Sequence, residues 1–353
     1  MSDISNDFIL TRDELPILLN VLFTQDNWKL NVHPILIQQN IFSVNLDVSV
    51  IVKRLVNNKQ YSERLPENNF PDIIPKFSHL RDILIGSGFL KMTNWDALLN
   101  ELDKIKAFNP LKGDRFTFVG MDTNSYINRI YSVLENTYKG DISSFFFVLS
   151  MVVSKELRSA RNISAGQLDE LKENKVYHKV RDILSNFWNN DSLYSRIRHI
   201  GRVEFNKQKK NSRCLMNENL EILKNVDSDL QIIDDFRDQV TKRNYNLLVV
   251  SSDKHIHDQG RGPGIVCVDL RLPIMDDLPE EFSGNWENLC DLLYLCSVYF
   301  GAIKVQGNQN SVHIYGLWRG KSVGEWDTES LKVQIGSETI RELLQQQLNI
   351  VRT

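Results

Sequence analysis

The stretch FTFVGMDTNSYINRI, residues 116–130, decides how this chain is read. Phe116, Phe118 and Gly120 alternate with the β-branched Thr117 and Val119, the two-residue period of a short buried strand. The continuation TNSYINRIYSVL has the apolar spacing of a helix, near 124–137. Asp122 therefore stands where a core strand gives way to a helix. In an open α/β sheet, ligands bind at the carboxyl ends of the strands. A carboxylate there is either a cap for the helix or a ligand for a metal or a substrate.

Further along, SSFFFVLSMVVSKELRSAR (143–161) reads as a helix, and a polar, charged stretch fills 164–225. A helix beginning near Ser228 precedes LLVVSSD, an apolar strand ending in Asp253, and GIVCVDL (264–270) is a further strand. Strands alternating with helices predict a three-layer α/β unit built on a parallel sheet, over 113–272. NPLKGDR (109–115) and LRLPIMDDLPEEFSG (270–284) are its turn-rich borders. Before it, LPILLNVLF and VNLDVSVIVKRLV show no clear alternation, and residues 1–112 are expected to be mostly helical. After it, WENLCDLLYLCSVYF reads as a helix, AIKVQG, NSVHIYGLW and LKVQIG as strands, and IRELLQQQLNIV as a closing helix. That predicts a small α+β unit over 273–353.

At 353 residues the chain exceeds one ordinary core, which agrees with three parts. A hydrophobic content of 42% with 25% charged residues is that of a soluble globular protein, and no apolar run is long enough to span a membrane. The start, MSDISNDFIL, has acids where an export leader needs a basic segment, so a cytoplasmic protein is expected. Cys214, Cys267, Cys290 and Cys296 form no C-x-x-C pair and fit reduced thiols. With a net charge of −3, any surface for nucleic acid must be a local patch.

Four acids occupy comparable places: Asp122 after the first strand, Glu156 on the VVSKELRSA helix, Asp229 at the start of SDLQIIDDFRDQV, and Asp253 after LLVVSS. In a parallel sheet all four can meet above the strand ends. Mg²⁺ and Mn²⁺ prefer such carboxylate oxygens, and one or two of these ions can activate water for phosphoryl displacement.

The strand ending in D-T-N (Asp122, Thr123, Asn124), the V-x-x-E-L helix (Val153, Glu156, Leu157), the S-D-L-x-I-I helix start and the strand V-V-S-S-D together resemble the PIN-like nuclease family, over about 115–272. The resemblance implies a metal-dependent nuclease, RNA being the better substrate than DNA, with Asp122, Glu156 and Asp253 as ligands and Asn124 orienting the site. The remaining ligand is Asp229 or Asp235, the latter 18 residues before Asp253. Six positions turn a helix through about 600°, a net 240°, so the two acids cannot share a face. Asp229 is favoured because it sits at a helix start, with Asp227 and Asp234 as lesser neighbours.

Lys155, Arg158 and Arg161 beside Glu156, and Lys207, Lys209, Lys210 and Arg213 in RVEFNKQKKNSR, are the candidate contacts to backbone phosphates. His255 and His257 in DKHIHDQGRGPG are weaker metal candidates or a loop near the acids. GRGPG and GKS (320–322) lack the spacing of phosphate-binding loops. The flanking regions would choose the substrate, a protein partner or a second copy of the chain. The competing expectation is a non-catalytic binding or assembly module in which the acids are caps and salt-bridge partners.

Overall fold

The computed structural model describes residues 7–25, 29–46, 49–66, 70–139, 141–187, 190–210, 213–218, 220, 222, 226–241, 243–260 and 262–352. The start of the chain, 1–6, and Asn211 and Ser212 of the basic stretch lie outside the described residues. The chain forms two compact units, one of 1–90, 160–197 and 277–353 and the other of 91–159 and 198–276. The strands, in chain order, are β1 (Asp7–Leu10), β2 (Lys29–Pro34), β3 (Phe42–Leu46), β4 (Val50–Arg54), β5 (Thr117–Met121), β6 (Phe146–Leu149), β7 (Cys214–Met216), β8 (Asn246–Ser251), β9 (Ile265–Asp269), β10 (Glu281–Gly284), β11 (Ala302–Gln306), β12 (Ser311–Tyr315) and β13 (Leu331–Ile335).

The first unit is built on an eight-stranded sheet in the order β1-β13-β12-β11-β2-β3-β4-β10, with antiparallel pairings throughout. The N-terminal region, expected to be mostly helical, keeps its helices Leu15–Gln25, His79–Gly86 and Trp95–Lys106 but also supplies four strands of this sheet. LPILLNVLF does lie in a helix, Leu15–Gln25, but four strands surround it. Their signal is visible in retrospect: Leu30, Val32 and Pro34 are buried, while Lys29, Asn31 and His33 between them are not. VNLDVSVIVKRLV contributes to both β3 and β4, which pair with each other. The C-terminal strands and the helices Trp286–Phe300 and Glu338–Arg352 fall where the sequence places them. They are not a separate small unit, because β13 pairs with β1, β11 with β2 and β10 with β4. Residues 160–197 also belong here: Arg196, fully buried, donates to the carbonyls of Ile73 and Tyr299.

The second unit carries a five-stranded, fully parallel sheet in the order β7-β6-β5-β8-β9. The α/β reading of this segment therefore holds, with two strands more than the sequence shows. SSFFFVLSMVVSKELRSAR is not one helix but β6 followed by the helix Met151–Leu157. Ser150 separates them, its hydroxyl accepting from the Val152 N–H as an N-cap. A short apolar run such as FFVL, buried at three of its four positions, has no period that distinguishes strand from helix.

Numbered within the unit, the order is 3-2-1-4-5, so the direction of winding reverses between β5 and β8. The helix Ser228–Thr241 covers the sheet closely: a Cβ on Gly120 would fall 2.8 Å from the Phe236 ring. Along the helix Leu193–Lys209, Tyr126 packs on Phe205 with ring centroids 5.3 Å apart. Arg129 and Glu204 form a buried ion pair at 3.1 Å. No helix among the described residues is long and apolar enough to cross a membrane.

Candidate active site

Asp122 follows β5 and Asp253 lies two residues beyond β8, the two adjacent strands at which the winding reverses. This is the topological switch point, where crossovers leave to opposite sides and open a crevice outside the strand ends. Glu156 stands on the helix that follows β6, and Asp229 in the first turn of the helix that leads into β8. A helix running back to the start of a parallel strand begins at the carboxyl edge of the sheet. All four acids are therefore delivered to one edge by topology.

Three of the carboxylates also have a local task. Asp122 is 1% exposed; its Oδ1 accepts from the Ser125 N–H at 2.7 Å, capping the helix Thr123–Ile127, and its Oδ2 accepts from the Ser251 hydroxyl at 2.6 Å. Ser251 is the last residue of β8, so this bond ties the two switch-point strands together. Asp253 caps the helix Lys254–Gln259 by accepting from the His255 N–H at 2.7 Å. Glu156 accepts from the Thr123 hydroxyl, next in sequence to Asp122. Its backbone carbonyl accepts from Arg198, which holds the end of that helix against Leu193–Lys209.

The electrostatics show that the acids share a region. Burial, then Asp253, Asp227, Glu156 and Asp122 in that order, push the Asp229 carboxyl up to about 6. Burial pushes Asp122 up, opposed by its bonds from Ser125 and Ser251, and Asp253 adds to the rise. Carboxylates that destabilise one another in this way gain from a cation or a shared proton. Asp235 is not in this group. It is 2% exposed and accepts from the Met151 N–H at 3.3 Å and the Gln239 amide at 2.9 Å, on the β6 side of the sheet. Burial raises its carboxyl, with Asp238 as its acidic neighbour rather than the switch-point acids. The structure thus separates the two candidates left open by sequence and brings Asp229, not Asp235, to the other three.

Whether the donors suit a divalent cation divides into chemistry and spacing. Carboxylates with serine and threonine hydroxyls are the hard oxygen set that Mg²⁺ or Mn²⁺ takes. Among the described residues, however, no three His, Cys, Asp or Glu side chains stand close enough together to hold an ion. The acids are gathered at one edge without being drawn into one coordination sphere.

The basic candidates disperse. Lys155 and Arg158 are exposed beside Glu156, with no ion pair among the described residues. Asn124 is exposed one residue beyond Thr123. Arg161 belongs to the first unit, its guanidinium 4.5 Å from the Tyr194 ring centroid. In the basic stretch, Lys207 lies 3.6 Å from Glu204 and Lys209 pairs with Glu218 at 3.0 Å. Lys210 is exposed after the helix, and Arg213 stacks on Phe146, 5.4 Å from its centroid. Phe146 begins β6, so Arg213 sits at the edge opposite the acids. His255 lies 3.3 Å from Asp227, and His257 pairs with Asp258 at 3.5 Å. Sequence reasoning gave no role to Ser251 and Thr123, which it met only inside the V-V-S-S-D and D-T-N motifs, and missed Arg198; each of the three positions an acid. Ser251 and Thr123 lie within two residues of Asp253 and Asp122, which was the available signal. Comparison of the chain with family models, curated proteins and solved structures gave no match.

Proposed function

We propose that the second unit hydrolyses phosphodiester bonds with the help of a divalent cation, and that RNA is its substrate. One observation carries the reading: Asp122, Glu156, Asp229 and Asp253 reach the carboxyl edge of a parallel sheet at its switch point, on four different elements. To hold Mg²⁺ or Mn²⁺ these four side chains would have to draw closer together than they stand here, and the ion when bound would supply an acidified water and neutralise charge on the phosphate. The chain's own part follows from its geometry. Ser251 and the Ser125 N–H fix the Asp122 carboxylate, and the Thr123 hydroxyl fixes Glu156. The neighbouring acids that push Asp229 up to about 6 make it the carboxylate whose charge a bound cation would relieve most. Lys155 and Arg158 offer exposed cations to the phosphates flanking the scissile bond. The first unit would select the substrate, a protein partner or a second copy of the chain. All four cysteines are free thiols, in keeping with a cytoplasmic setting.

A second reading has its own observation. Asp122 and Asp253 are both helix caps, and no three acids stand within reach of one ion among the described residues. On that basis the unit is a binding or assembly module.

The deciding experiment is cleavage of labelled single-stranded and hairpin RNA with Mn²⁺, Mg²⁺ or EDTA, for wild type and Asp122→Asn. Asparagine keeps the carbonyl oxygen that caps the helix, so the fold should survive, as circular dichroism would show. The nuclease reading expects metal-dependent cleavage that the substitution reduces by a factor of about 10² or more. Absence of cleavage together with absence of Mn²⁺ binding by calorimetry would establish the module instead.

A further inference from the structure

At the amino edge of the five-stranded sheet, away from the acids, a cavity of about 620 Å³ opens where β5, β6 and β8 begin. Thr117, the first residue of β5, lines the cavity and lies five positions before Asp122, so about 15 Å of strand separates the two places. The volume lies within the range of small-molecule sites. Three unused groups line it, and their chemistries are complementary.

The first is the ring of Phe116. It is held by Phe108 at 4.4 Å, and by Phe146 and Tyr245 nearly edge-on at 5.4 and 6.0 Å, yet Phe116 remains 40% exposed. A ring fixed by three neighbours with an open surface is a stacking platform that loses little freedom when a flat ligand settles on it. The second is Asn246. Its backbone N–H donates to the Phe116 carbonyl at 2.7 Å, while its side-chain amide has no hydrogen bond among the described residues. The third is Arg115, exposed and next to Phe116, with no ion pair or hydrogen bond among the described residues. The lysines of the same wall are already matched, Lys104 with Glu101 at 2.6 Å and Lys106 with Asp141 at 3.0 Å.

We propose that this cavity is a nucleotide-binding site, with the base stacked on Phe116, its hydrogen-bonding edge on the Asn246 amide and its phosphates on Arg115. A neutral aromatic molecule would leave Arg115 unused, and a bare phosphate would leave Phe116 and Asn246 unused. An asparagine amide, donor and acceptor side by side, matches the paired acceptor and donor of adenine. A guanidinium is the side chain best shaped for phosphate oxygens. The site is independent of the acidic edge and does not rest on the nuclease reading.

The test is calorimetric titration of the full chain with ATP in EDTA, repeated with adenosine and with pyrophosphate, for wild type, Arg115→Glu, Phe116→Leu and Asp122→Asn. Because Arg115 is exposed and has no ion pair or hydrogen bond among the described residues, its reversal should leave the circular dichroism unchanged. The proposal expects saturable ATP binding, weakened at least about tenfold by Arg115→Glu. It also expects weakening by Phe116→Leu, no change in Asp122→Asn, and poorer binding of adenosine and of pyrophosphate than of ATP. Absence of ATP binding at millimolar concentration would overturn it. So would binding indifferent to Arg115→Glu, pyrophosphate binding as tight as ATP, or loss of binding in Asp122→Asn.

Discussion

Asp229 carries the tension of this protein at the level of one side chain. Burial and four neighbouring acids move its carboxyl from the ordinary 3.8 up to about 6. Between those values the folded chain keeps a proton that the unfolded chain has released. Stability therefore falls as pH rises through this window, and the cost is fully present above about 6. Its partial exposure lets water screen the effect, leaving about 1 kcal/mol at neutral pH. Asp229→Asn should accordingly raise the urea midpoint at pH 7.5, and the gain should shrink towards pH 4. If the acids hold a cation, Mn²⁺ should stabilise wild type more than this variant, and its affinity should drop below about pH 6. A variant less stable than wild type at pH 7.5 would mean that the first-turn charge of Asp229, favourable to the helix dipole, outweighs the repulsion.

At the level of elements, local chemistry and close approach divide the work. The turn from β5 into Thr123–Ile127 was legible because an apolar alternation, a capping aspartate and a helical spacing follow in order. β6 was not, because FFVL runs into the equally apolar MVV and only the Ser150 cap marks the change. Close approach is invisible in the sequence altogether. Gly316, after β12, lies against the backbone of Ser297 and Val298, so that an added Cβ would collide with main-chain atoms. Gly316→Ala should cost about 3 kcal/mol, since backbone cannot rotate aside as a side chain does. Gly336→Ala, with open space around the new methyl, should be neutral or stabilising by up to about 1 kcal/mol. Urea unfolding of the two variants in parallel checks both values, and equal midpoints would refute the contact.

At the level of the whole molecule, the segment read from sequence as a self-contained α/β domain, 113–272, is not one. It includes 160–197, whose Arg196 bonds to Ile73 and Tyr299 and whose Val180 and Ile183 pack against Ile35, Ala302 and Tyr315. It also omits the helix Trp95–Lys106, which belongs to the same unit. Expressed alone, 113–272 should aggregate or unfold without a cooperative transition, because a fully buried guanidinium and apolar side chains lose their partners. A soluble fragment with a sharp thermal transition would show that these contacts are dispensable.

The sequence by itself determined the parallel α/β character of the middle segment, the C-terminal strands and helices, and the positions of the four acids relative to their elements. These depend on periodicity and capping, which act within a few residues. Tertiary structure alone decided that Asp7 pairs with Gln334. It alone separated Asp235 from the other acids and left Asp229, already favoured for its place at a helix start, among them, and it alone set an open phenylalanine and an arginine with no ion pair among the described residues on one cavity. Strand pairing, electrostatic repulsion and cavity shape depend on distance in space, and a linear pattern specifies that distance only through the fold.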